Sequence, residues 1–143
     1  MNQLILGKKF TPLTLGIMPK MKEIDEFLEM NSLYKNVIKE SHPEVCFARL
    51  AGHTVMSKKS TMEGIEERLE ILSRYISIEK DYLLKKEKEL KCNLDDLVDA
   101  VCLAVTAALV KEGKTESIPE SPMKDARGLL MQMIIPNLKF AEY

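Results

Sequence analysis

Between Asn93 and Gly113 the chain reads NLDDLVDAVCLAVTAALVKEG, and from Ala100 to Val110 only Thr106 is polar. A helix that is apolar nearly all round has no solvent face, so it must be covered on more than one side. In a chain of 143 residues, such cover comes from packed layers, which points to an α/β layer structure. The apolar run is too short to span a bilayer, which takes about 20 residues. Asn93 can cap this helix and Leu94 to about Lys111 can form it, with Gly113, Pro119 and Pro122 forbidding its continuation.

The remaining elements follow from period and punctuation. Met21, Ile24, Phe27 and Leu28 recur at helical spacing after Pro19, predicting an amphipathic helix from Pro19 to about Met30. Tyr34, Val37 and Ile38 supply β-favouring bulk, and Pro43 biases His42 toward extended backbone, so Tyr34 to Ser41 reads as a strand. Pro43 then opens a brief helix that turns Val45, Phe47, Ala48 and Leu50 inward and stops at Gly52. Ser60 and Glu63 have capping-box spacing, and Ile65, Leu69, Leu72 and Ile76 form one stripe, predicting a helix from Thr61 to Ile76. The mixed charges of EKDYLLKKEKELK suit the solvated face of a helix. GLLMQMIIP, from Gly128 to Pro136, reads as a short buried strand. The chain is thus expected to hold one domain over residues 18–136, with a connecting segment at 1–17 and a tail at 137–143.

The net charge of −1 gives no global attraction to nucleic acid, so any such contact must be local. Cys46, Cys92 and Cys102 are odd in number and widely spaced, which suggests neither a disulfide framework nor a zinc site and fits a reducing, cytoplasmic setting. Cys46 has no charged activator beside it in sequence, and His53 has no second histidine at zinc-site spacing.

Two acidic stretches remain as candidates for chemistry. Glu40 closes the expected strand in ESHPEV, where open α/β sheets place ligands, whereas Glu44 suits a helix start and His42 a corner. Asp95, Asp96 and Asp99 share one helical face, Asp95 and Asp99 about 40° apart and Asp96 and Asp99 about 60°. Asp95 and Asp96 are accounted for equally well by the helix dipole, but Asp99 lies a turn further in and needs a cation or a basic partner to offset its neighbours. A hard divalent ion with oxygen ligands is one such cation. Lys58 and Lys59 stand beside a helix start, where a phosphate would also be favoured.

Taken in order, MPKMKEIDEFL, KESHPEVCFARLAG, SKKSTMEGIEERLEIL, NLDDLVDAVCLAVTAAL and DARGLLMQMIIP resemble the uncharacterised family of predicted RNase H-like nucleases, domain of unknown function 429, over about Leu15 to Pro136. The resemblance implies an RNase H-like fold, a mixed sheet flanked by helices, and phosphodiester hydrolysis by two Mg²⁺ or Mn²⁺ ions. It makes Glu40 and Asp99 the catalytic ligands, with Asp95 and Asp96 as further metal carboxylates and Lys58, Lys59 and His42 near a nucleic-acid substrate. The fold so implied begins with strands that carry an essential aspartate, whereas residues 1–17 contain no acidic residue. The chain is therefore expected to hold the C-terminal part of that fold, with the missing strands supplied by a partner chain. The alternative is a non-catalytic, homo-oligomeric interaction module.

Overall fold

The computed structural model describes residues 10–137. They fall into two compact units that meet between Lys39 and Glu40.

In the first unit, helix α1 spans Pro12–Met30. It starts seven residues before the expected Pro19, because Thr11 and Pro12 already supply a complete start. Thr11 Oγ1 accepts from the Thr14 N–H at 3.2 Å, and Pro12 brings a pre-set φ to the first turn. Pro19 lies inside the helix instead of opening it. Part of the expected connecting segment is thus helical, while residues 1–9 lie outside the described residues. The expected strand Tyr34–Ser41 is not formed: Ser32–Asn36 is a turn of 3-10 helix, and irregular backbone follows to His42. β propensity records pairing and half-burial more than a backbone preference. Tyr34, Val37 and Ile38 have neither here, being exposed and unpaired with any strand.

The second unit is built around α5, Leu94–Lys111. Against it pack α2 (Pro43–Ala51), α3 (Met62–Ser73), α4 (Lys80–Leu90), and a hairpin of β1 (Thr115–Ile118) and β2 (Met133–Pro136). The strands are antiparallel, with Thr115 opposite Pro136 and Ile118 opposite Met133. The fold is thus mixed α/β and mostly helical, and the sheet among the described residues has two antiparallel strands. The expected cover on several sides of α5 is present, but it is chiefly helical. Val98, Cys102, Val105 and Leu109 of α5 meet Cys46, Phe47 and Leu50 of α2, Ile65, Ile71 and Leu72 of α3, Leu83 of α4 and Ile135 of β2 in one core.

Local chemistry accounts for the remaining boundaries. Gly52 ends α2 at φ 80°, a left-handed conformation that glycine adopts without strain. The cap of α3 is Thr61 and not Ser60: Thr61 Oγ1 donates to Lys58 O at 2.8 Å and accepts from the Gly64 N–H at 3.2 Å. Ile76, expected on the stripe of α3, lies beyond its end and is exposed. Asn93 occupies the cap position of α5, but its side chain turns to Asp96 Oδ2, 3.4 Å away. The strand expected from Gly128 is confined to Met133–Pro136, because Asp125 Oδ1 accepts from the Arg127 and Leu129 N–H groups and folds 125–129 into a turn. Among the described residues, no helix is long and apolar enough to cross a membrane.

Candidate functional site

The stretches ESHPEV and LDDLVDA, about sixty residues apart in sequence, adjoin in the second unit. The Glu40 carbonyl accepts from the Ile134 N–H at 2.8 Å, and the Ser41 hydroxyl donates to Ile134 O at 2.6 Å, tying the entry of α2 to β2. Ser41 Oγ also lies 3.1 Å from Cys46 Sγ, and Cys102 Sγ lies 3.9 Å from Pro43 O. The Cys102 thiol is pushed up by the adjoining Cys46 sulfur, by burial and by the charges of Asp99 and Glu44. Reciprocally, the Cys102 thiol holds Cys46 down at about 6. Both sulfurs are sealed in the core, so neither is placed as a nucleophile. Their role is positional: they seat the first turn of α2 beside the third turn of α5.

On α5, Asp99 has found the basic partner its position demanded. Lys59 Nζ donates to Asp99 Oδ2 at 2.7 Å and lies 3.7 Å from Asp95 Oδ2, so one ammonium bridges two carboxylates a helical turn apart. The other oxygen, Asp99 Oδ1, is buried and makes no hydrogen bond. Asp96 stands on the exposed side beside Asn93. The Glu40, His42 and Lys58 side chains are exposed, and Lys58 contributes through its carbonyl, which accepts from the Thr61 N–H and hydroxyl. His53 lies exposed at the end of α2, on the rim of an open pocket of about 470 Å³ lined also by Val45, Arg49 and Asn137.

Lys59 titrates above the ordinary lysine value because Asp99 accepts its hydrogen bond, an effect that outweighs the opposing desolvation and to which the charges of Asp99, Asp95 and Asp96 add. A raised lysine value stabilises the fold fully below the unfolded-state value, near 10.4, and that contribution is lost as pH rises through the folded value. Lys59→Met is therefore expected to cost about 0.2–1 kcal/mol at neutral pH, the small figure reflecting a lysine side chain that is 40% exposed. The gap in urea midpoint from the parent protein should hold through neutral pH and close above about pH 10.4. A gap that stays constant into strong alkali would show that the ion pair contributes nothing.

One charged group of this region carries no obvious sequence motif. Arg68 of α3 is 2% exposed, and its Nη2 donates to both carboxylate oxygens of Glu44, Oε2 at 2.8 Å and Oε1 at 3.1 Å. The other terminal nitrogen donates to Ser57 O, Ser57 Oγ and Gly64 O, and the group lies over the Phe47 ring, 5.4 Å from its centroid. Its sequence signal was its place: Arg68 follows Ile65 by three and precedes Leu72 by four, a charged residue set on an apolar stripe. Arg68 anchors Ser57, and Gly64 lets the Lys58 carbonyl approach α3 closely, so together they set the backbone from which Lys59 reaches α5.

The donor types on α5 suit a hard cation, but their arrangement does not provide one with a cage. Among the described residues, no three His, Cys, Asp or Glu side chains are grouped to hold a metal ion, and the position between Asp95 and Asp99 is taken by Lys59. A family model described as "Protein of unknown function (DUF429)" matches residues 1–124. No curated protein and no solved structure matches the chain.

Proposed function

The chain belongs to the DUF429 family, a family of unknown function, and from that premise we propose that it is the acid-bearing part of an RNase H-like phosphodiesterase. In this reading the chain retains the second half of the fold and works in the cytoplasm on nucleic acid, with a further chain completing the sheet and the ligand set. The observation that carries it is the carboxylate pair, Asp95 and Asp99, that shares a single cation and keeps one oxygen unbonded. Two carboxylates are what magnesium or manganese commonly takes from a protein, the rest of its shell coming from water and substrate phosphate. Such an ion would supply a polarised phosphodiester and an activated water. The described residues themselves fall short of a three-donor group. What the chain's own residues do is exchange charge. Lys59 has either the aspartate pair or a phosphate oxygen as its anion, and Lys58, exposed beside it, adds a second phosphate contact.

The second reading is a non-catalytic interaction module in which Lys59 is a fixed structural bridge. It is favoured by the same ammonium sitting between the carboxylates and by the lack of a third donor among the described residues. The two separate on one assay of the chain, isolated together with the partner chain that it retains, with single-stranded, duplex and branched nucleic acid in magnesium or manganese. The nuclease reading expects cleavage that Asp99→Asn abolishes. No cleavage of any substrate, or cleavage that survives the substitution, overturns it in favour of the module.

A further inference from the structure

Lys59 reaches its carboxylates from a loop that is held on both sides. Arg68 donates to Ser57 O and Oγ before it, and the Thr61 N–H and hydroxyl donate to the Lys58 carbonyl, which Gly64 lets lie close against α3. With the backbone fixed, only the rotamers of the side chain remain to be ordered, and the ammonium ends 2.7 Å from Asp99 Oδ2 and 3.7 Å from Asp95 Oδ2. Among the described residues, neither aspartate has another basic partner. Asp99 Oδ1 is buried without a hydrogen bond, so the charge of Asp99 is offset by this one cation. The lysine side chain is nevertheless 40% exposed, so its head can leave into water by rotamer changes alone, with no rearrangement of the loop.

The carboxylates and their occupant do not match a resident divalent ion. Two carboxylates a helical turn apart are a usual protein share of a magnesium or manganese shell, yet the space between these two holds an ammonium. A tethered ammonium competes with an ion from solution as though present at on the order of millimolar concentration. A dication brought up beside it is also repelled twice as strongly as a monovalent ion would be. The pair therefore holds either the lysine or the ion, and not both.

We infer that Lys59 is an internal lock on the acid pair: in the chain by itself its ammonium keeps Asp95 and Asp99 closed to divalent ions, and the pair opens only when the lysine swings away. The inference rests on reading these aspartates as the metal-facing acids, and it adds how that site is held shut until a competing anion, a phosphate, draws the lysine off. Mn²⁺ binding to the full chain, followed by loss of the free-ion electron paramagnetic resonance signal, tests it with no nucleic acid present. In the parent chain, Asp99→Asn should leave Mn²⁺ binding unchanged. Lys59→Met should tighten binding by about tenfold or more, and adding Asp99→Asn should remove the gain. Lys88→Met removes an exposed lysine of α4 and should bind as the parent does, which separates the lock from net charge. The urea midpoint of each variant verifies that it is folded. A parent chain that binds Mn²⁺ through Asp99 as tightly as Lys59→Met does, a Lys59→Met chain that gains nothing, or an equal gain from Lys88→Met overturns the inference. Because the readout is binding, the two readings fail separately. A lock without cleavage overturns the phosphodiesterase and leaves Lys59 its role, whereas cleavage by a chain whose Mn²⁺ binding ignores Lys59 does the reverse.

Discussion

Arg68→Met is expected to lower the stability of the Glu40–Tyr143 unit by about 3 kcal/mol, seen as a lower urea midpoint at unchanged slope. Methionine fills much of the same volume, so the loss comes from polar groups left behind. Ser57 O and Ser57 Oγ lose their donor, Phe47 loses the cation over its ring, and the Glu44 carboxylate loses both hydrogen bonds from its partner. Water relieves part of this, because the Glu44 side chain is 38% exposed, which places the cost at the low end for a broken buried pair. Glu44→Leu should cost at least as much, since the charge it strands is the guanidinium, sealed at 2% exposure. Arg68→Lys should recover less than half the loss, because a single ammonium nitrogen cannot serve both Glu44, which Nη2 reaches, and the Ser57 and Gly64 oxygens, which Nη1 reaches. If Arg68→Met proves neutral, or Glu44→Leu proves the milder change, the pair does not anchor the unit.

This arrangement marks where sequence reasoning reached and where it stopped. Local signals with their own chemistry were legible: the all-round apolarity of α5, Pro43 and Gly52 bounding α2, and the charge-rich surface of α4 around a single buried leucine. Elements that need a partner were not. Tyr34–Ser41 has strand-forming side chains, but its backbone bonding to β2 among the described residues is confined to the Glu40 carbonyl, with the Ser41 hydroxyl beside it, so the segment coils. Among the candidate residues, helical spacing grouped Asp95, Asp96 and Asp99; Lys59 joins Asp95 and Asp99, one of the two solutions their repulsion required, while Asp96 stands exposed outside the bridge. That the partner was Lys59 could not be read, because forty residues and two helices separate them. Arg68 was hidden for a different reason: a stripe is read by its apolar members, and its one charged member looks like an interruption until Glu44 is seen against it.

The second large effect concerns Gly64, and there the usual expectation reverses. Glycine inside a helix is ordinarily a weakness, and alanine would gain up to about 1 kcal/mol of helix propensity. At this position a Cβ would fall inside the Lys58 carbonyl, with the carbonyl carbon only 2.8 Å away and Ser57 Oγ at 3.2 Å. The obstacle is backbone, not the end of a side chain, and it is held on both sides: Thr61 binds the Lys58 oxygen while Arg68 binds Ser57. Overpacking of this kind costs about 1–3 kcal/mol, and here it also disturbs the cap of α3, so Gly64→Ala is expected to destabilise by about 2 kcal/mol net. The displaced loop carries Lys59 with it. In the Gly64→Ala background, Lys59→Met should therefore cost nothing, and the alkaline closing of the midpoint gap should vanish, because the ammonium no longer reaches Asp99. Should the two substitutions instead add independently in a double-mutant cycle, the close approach at Gly64 would serve α3 alone and would not position the lysine.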